Sequence, residues 1–229
     1  MKQNLLLLHG ALGSKSQFNR VLDELSKTFT VHALNFEGHG GSDTANQFSI
    51  SLFTQNVLDY LQENAINQTA IFGYSMGGYV ALNVALKAPK KVKKIGTLGT
   101  KFAWDLEAAQ KEVQLLNPSV IEQKVPQFAK QLQELHKPQD WKKVMNKTAQ
   151  MMLNMAQGAK LVDSDFKKIA QPVSIGIGSL DKMVTYQESQ YVTTLLQNAT
   201  LVKLEGVKHP IDLVESDELI GYILTNLSE

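Results

Sequence analysis

With 229 residues and 43% hydrophobic side chains, the chain is long enough to fill one core, or one core with a small appendage, and a single domain is expected. A formal charge of +1, with Arg20 the sole arginine, offers no electrostatic excess for nucleic acid or an anionic membrane and little capacity for bidentate clamps on carboxylates or phosphates. The lack of cysteine excludes disulfides, thiolate zinc sites and a cysteine nucleophile.

The first apolar run, residues 4–9, reads as a strand. Its leucines, residues 5–8, follow one lysine and lead to no small-residue cleavage site, so they do not read as a signal peptide. No stretch reaches the roughly 18 apolar residues of a membrane span, and a soluble cytoplasmic protein is expected. A glycine-containing loop, His9-Gly10-Ala11-Leu12-Gly13-Ser14, comes next, then a helical segment at residues 17–26 and a second strand at 29–34. That strand ends in Glu37-Gly38-His39-Gly40-Gly41-Ser42-Asp43, ahead of a helical segment at residues 49–64 and a third strand at 69–73.

The third strand runs into Gly73-Tyr74-Ser75-Met76-Gly77, and the helical run 76–87 follows at once. A serine there sits on a tight strand-to-helix turn. Glycines two residues to either side leave room for a strained backbone that exposes the hydroxyl, and the following helix aims its positive end at the same spot. Taken alone, the motif equally describes a glycine-rich turn with a serine helix cap.

A fourth strand is expected at residues 92–98. From 102 to 166 no strand pattern occurs, only amphipathic helix interrupted at Pro118, Pro126 and Pro138, which reads as a helical insertion packed on the core. It carries Met145, Met151, Met152 and Met155, whose flexible thioethers suit either ordinary packing or an adaptable apolar lining. Beyond it come strands at residues 172–178 and 200–205, and helices at 185–197 and 211–227. Short apolar runs alternating with helical segments describe a parallel sheet of six strands covered on both faces.

A serine hydroxyl needs a base within hydrogen-bond reach, usually an imidazole held by a carboxylate. Asp181 lies just past the fifth strand and His209 just past the sixth. The carboxyl ends of parallel strands share one edge, where Ser75, Asp181 and His209 can converge. Asp105, after the fourth strand, is the rival acid, whereas Asp212 and Asp217 read as residues of the last helix. Of the other histidines, His136 reads as a solvated residue of the insertion and His32 as a packed or edge residue. His39 sits at a strand end where it could line the site, and His9 shapes the turn beside it. The backbone N–H groups of Ala11 and Met76 are the expected pair of donors to an oxyanion.

In this order the motifs resemble those of the α/β-hydrolase superfamily: His9-Gly10, Gly38-His39-Gly40-Gly41-Ser42-Asp43, the turn at Ser75, Gly178-Ser179-Leu180-Asp181, and His209. The resemblance implies a three-layer fold, a catalytic triad of Ser75, Asp181 and His209, and a helical cap at residues 102–166. Two departures stand out. The first strand starts within four residues of the beginning of the sequence, so a shortened, all-parallel six-stranded sheet is expected, and Lys208 precedes the base where the family often has glycine.

The expected reaction is hydrolysis of a small to medium carboxylic ester through an acyl-enzyme, with no metal or organic cofactor, acting on a small molecule as a monomer or homodimer. The resemblance also spans thioesterases, amidases, carbon–carbon bond hydrolases and lyases, as well as non-catalytic binding proteins.

Overall fold

The computed structural model describes residues 2–44 and 46–228. Its sheet has six strands: β1 (Gln3–Leu8), β2 (Phe29–Ala33), β3 (Thr69–Tyr74), β4 (Val92–Leu98), β5 (Val173–Gly178) and β6 (Ala199–Leu204). They pair in the order β2-β1-β3-β4-β5-β6, and every pair is parallel. Each strand lies within a residue or two of its sequence-based position.

Central and edge strands differ as their neighbours dictate. All six residues of β3 are buried, and Leu5, Leu6, Leu7 and Leu8 of β1 are fully so, whereas β2 and β6, at the edges, are half exposed. Strands covered on both faces must be apolar throughout. Alternation then divides the core: Leu6 and Leu8 face one apolar layer with Val80 and Leu82, while Leu5 and Leu7 face the other with Leu219 and Ile223.

The helices α1 (Leu22–Thr28), α2 (Ile50–Glu63) and α3 (Met76–Lys87) precede β4. The helix expected at residues 17–26 begins instead as a 3-10 turn, Lys15–Val21, started by the side chain of Ser14. Five helices lie between β4 and β5: α4 (Leu106–Gln114), α5 (Pro118–Lys124), α6 (Pro126–His136), α7 (Trp141–Asn154) and α8 (Asp163–Phe166). Pro118 and Pro126 begin helices rather than merely interrupting one, since a first-turn residue needs no N–H partner. Along α7 the buried residues Trp141, Val144, Met145, Thr148 and Met151 recur at helical spacing and form the face turned to the core. The helix ends in a wider turn, Met155–Ala159, closed by Gly158.

After β5 come α9 (Tyr186–Leu195) and α10 (Ser216–Leu227). The expected helix at residues 211–227 is in fact a short turn, Ile211–Leu213, followed by α10, because Val214 and Glu215 adopt extended backbone. Among the described residues no helix is long and apolar enough to cross a membrane.

This strand order fixes where a ligand can sit. The chain leaves β1 toward β2 on one side and returns to β3 on the other, so the loops after β1 and β3 diverge and open a crevice at the carboxyl edge of the sheet. Ala11 and Ser75 lie on those two loops.

Candidate active site

Ser75 stands between β3 and α3 with φ 51° and ψ −116°, a conformation that residues with side chains seldom adopt. Three contacts hold it there: its N–H donates to the Leu98 carbonyl at 2.8 Å, the Thr100 hydroxyl donates to its carbonyl at 2.9 Å, and the N–H of Gly78 donates to the same carbonyl at 3.1 Å. The flanking glycines are required by close approach. A Cβ on Gly73 would lie 2.4 Å from the backbone of Gly77, and one on Gly77 would lie 2.2 Å from the Leu8 carbonyl oxygen. Strain of this kind marks functional turns.

Beyond β5, the carboxylate of Asp181 is held from two directions. Its Oδ1 accepts the N–H groups of Met183 at 2.8 Å and Val184 at 2.9 Å, and its Oδ2 pairs with His209 Nδ1 at 2.8 Å. Because a carboxylate only accepts, Nδ1 of His209 carries the hydrogen of this contact. Burial pushes Asp181 toward the protonated form, but the hydrogen bond and charge of His209, with the two backbone N–H groups, outweigh it and hold the carboxyl below its usual value. The loop of His209 is fixed by the Tyr74 hydroxyl, which donates to the His209 carbonyl at 2.9 Å. Gly99, with φ 62°, passes behind the pair: a Cβ there would lie 3.3 Å from both Asp181 Oδ2 and His209 Nδ1.

Ser75 and His209 line one cavity with Ala11 and Met76. As the first residue of α3, Met76 has no carbonyl a turn earlier to receive its N–H, so that donor lies at the positive end of the helix. Met151, Met152 and Met155 also line the cavity, while Met145 packs with Trp141 and Leu132 away from it.

Asp105 is exposed and caps α4, its Oδ1 accepting the Ala108 N–H at 2.7 Å, whereas His209 Nδ1 is engaged by Asp181. Asp217 sits in the first turn of α10 and Asp212 in the short turn before it.

The histidines bring the one clear correction. His136, expected on the solvated surface, is fully buried. Its Nδ1 accepts the Gly40 N–H at 3.1 Å and its Nε2 donates to the Leu12 carbonyl at 3.1 Å, tying α6 to the loops after β1 and β2. The misreading arose because both partners lie roughly a hundred residues or more away in sequence (96 and 124), where helical periodicity carries no information. His9 is also fully buried, accepting the Phe36 N–H at Nε2 and donating from Nδ1 to the Gly10 carbonyl, so it does shape the turn before Ala11. His39 lies between them, 5.2 Å from the His9 ring and 5.8 Å from the His136 ring, stacked on Phe48, and is not among the residues lining the cavity with Ser75. His32 is on edge strand β2, near Asn4 and Tyr60.

Sequence reasoning missed four residues around the site. Tyr74 and Gly99 carry no periodic signal. Lys101 and Glu112 form an ion pair at 3.4 Å in the cavity wall, with the Lys101 ammonium also donating to the Met183 carbonyl at 3.1 Å. Only a charged residue on the buried face of α4 hinted at the pair.

A strained serine turn at the carboxyl edge of a parallel sheet, with a histidine–carboxylate pair on neighbouring strand ends, defines a hydrolase of the α/β class. A family model described as the alpha/beta hydrolase fold matches residues 3–137, and the chain belongs to that family. It is similar to a pimeloyl-[acyl-carrier protein] methyl ester esterase of Aliivibrio fischeri, 23% identical over 99% of this chain and 94% of that protein. The corresponding esterase of Aliivibrio salmonicida is 25% identical over 95% of this chain and 89% of its own length. Among solved structures, the 2-hydroxy-6-oxo-6-phenylhexa-2,4-dienoate hydrolase of Rhodococcus sp. RHA1 shares the fold with a TM-score of 0.80 at 20% identity, covering 98% of this chain and 90% of that one.

Proposed function

We propose that the protein is a serine esterase that cleaves a small to medium carboxylic ester through an acyl-enzyme. The observation that carries this reading is the Asp181–His209 hydrogen bond of 2.8 Å, with His209 sharing a cavity with the strained Ser75. In the proposed cycle His209 Nε2 takes the Ser75 proton as Oγ attacks the ester carbonyl, and Asp181 stabilises the resulting imidazolium. The N–H groups of Ala11 and Met76 receive the oxyanion. Collapse transfers the proton from His209 to the departing alcohol. Water, deprotonated by His209, then cleaves the acyl-serine and restores the enzyme.

Residues 102–166, with helices α4 to α8, act in this reading as a cap that covers the serine and lowers the local water content. The apolar walls support a substrate with an apolar portion, and the esterase names of the full-length relatives agree with the reaction class. Hydrolysis of p-nitrophenyl butyrate by the intact protein, lost in Ser75→Ala protein that keeps the wild-type circular dichroism spectrum, is the expected result. Full activity in Ser75→Ala would refute the proposal.

A further inference from the structure

Two compartments of very different size meet at Ser75. The inner one, under α7, measures about 50 Å³ and is enclosed by Ile50, Tyr79, Trp104, Met151 and Met155. The outer one is a groove of about 600 Å³ between the loop after β1 and the helices α4 and α6, with Leu12, Leu115, Leu116, Phe128 and Leu132 along it. Glu112, Met152 and Met183 line both, as do Ala11, Ser75 and His209, so these side chains form the wall where the two meet. That wall is braced: the Lys101 ammonium lies 3.4 Å from Glu112 and donates to the Met183 carbonyl, and the two charged side chains are only 17% and 7% exposed.

Size and charge together select a substrate. An inner space of about 50 Å³ admits a few water-sized atoms and no long chain. Outside, the groove is mostly apolar and open to solvent, with Leu115 62% and Phe128 40% exposed at its rim. Among the described residues its ionisable lining, besides Tyr74 and His209, consists of the carboxylates Glu112 and Asp212, with no lysine or arginine. The one cation of the inner compartment, Lys101, already faces Glu112. An anionic substrate end would lose its water without gaining a partner and would meet the carboxylate of Asp212.

From this we infer that the site takes an uncharged ester of unequal halves: a group of one to three carbons in the inner compartment and an extended apolar chain in the groove, with the Lys101–Glu112 brace keeping the two apart. The inference rests on the esterase reading for its reaction, but the compartments can be tested apart from it.

Four ligands suffice: methyl octanoate, octyl acetate, octyl octanoate and monomethyl octanedioate. At least one of the first two is expected to show kcat/KM about 100-fold above octyl octanoate, because the second long chain has no space. The better of them should also exceed the anionic monomethyl octanedioate by about tenfold or more. Lengthening the chain on the groove side should raise kcat/KM by up to about fourfold per methylene, the factor for full burial of each CH₂. Leu115→Lys, at the exposed rim, should shift the ratio of anionic to neutral turnover upward by several-fold. Equal cleavage of octyl octanoate, or preference for the anionic ester in the unmodified protein, would overturn the inference. Calorimetric titration of the same four ligands into Ser75→Ala protein reads the compartments without catalysis. The same order of affinities with no turnover by the wild type would refute the esterase reading alone, and equal affinities would refute the compartments.

Discussion

Two groups of histidine flank the site, and they differ in what their second nitrogen meets. His209 gives its Nδ1 hydrogen to Asp181 and lines the cavity with the rest of its ring. His9 and His136 spend both nitrogens on backbone groups, Phe36 and Gly10 for the first, Gly40 and Leu12 for the second. The same imidazole is, on the proposed mechanism, a base where a carboxylate and a cavity meet, and it is a structural bracket where it bridges two loops. His39 belongs to neither kind: it is fully buried, with Nδ1 on the Glu37 carbonyl and no partner at Nε2.

The largest expected effect breaks the first group. Asp181→Asn presents an amide to His209 Nδ1 and removes the charge that stabilises the imidazolium, so kcat should fall by about three to four orders of magnitude with little change in KM. A loss under tenfold in steady-state assays would assign the acid elsewhere. In the second group, His136→Ala removes both bonds that hold α6 to the loops and leaves the Gly40 N–H and Leu12 carbonyl without that partner. Stability should drop by about 3 kcal/mol in denaturant titrations, with kcat affected far less than by Asp181→Asn.

Acid acts on the second group through burial. Burial, aided by the nearby His136 and opposed by the Gly10 carbonyl, lowers His9 to about 4, and burial with His9 beside it holds His39 well below its usual value. Between the ordinary histidine value of about 6.5 and that lowered value, the unfolded chain binds a proton that the folded chain refuses, so stability falls as pH falls. His9 alone should cost about 2 kcal/mol by pH 5, and the loss attributable to it should cease below pH ~4. Unfolding free energies that stay level from pH 7 to pH 5 would contradict this. The smallest effect concerns the rival acid: Asp105→Ala should cost about 1 kcal/mol as a lost helix cap and leave the pH–rate profile unchanged.

Much of the fold and the catalytic candidates was legible because the relevant signals are local. The four leucines of β1 and the apolar run of β3 read as buried strands, and Gly73 and Gly77 frame Ser75 within five residues. Asp181 and His209 were found through strand ends, since parallel strands share an edge. What escaped depends on contacts distant in sequence. Nothing around His136, in a helix with three glutamines, signals that its partners are Leu12 and Gly40. The pairing of Lys101 with Glu112 exists only once α4 lies against the segment that follows β4. The break in the last helix follows from extended backbone at Val214 and Glu215, which apolar periodicity does not register.

The central claim is that Ser75 is a nucleophile activated by His209. A fluorophosphonate probe, followed by intact mass and peptide mapping, tests it most directly. The account predicts one adduct per chain on Ser75, none in Ser75→Ala, and labelling slowed by about a thousandfold or more in His209→Ala. An unlabelled Ser75, or equal labelling rates with and without His209, would contradict it.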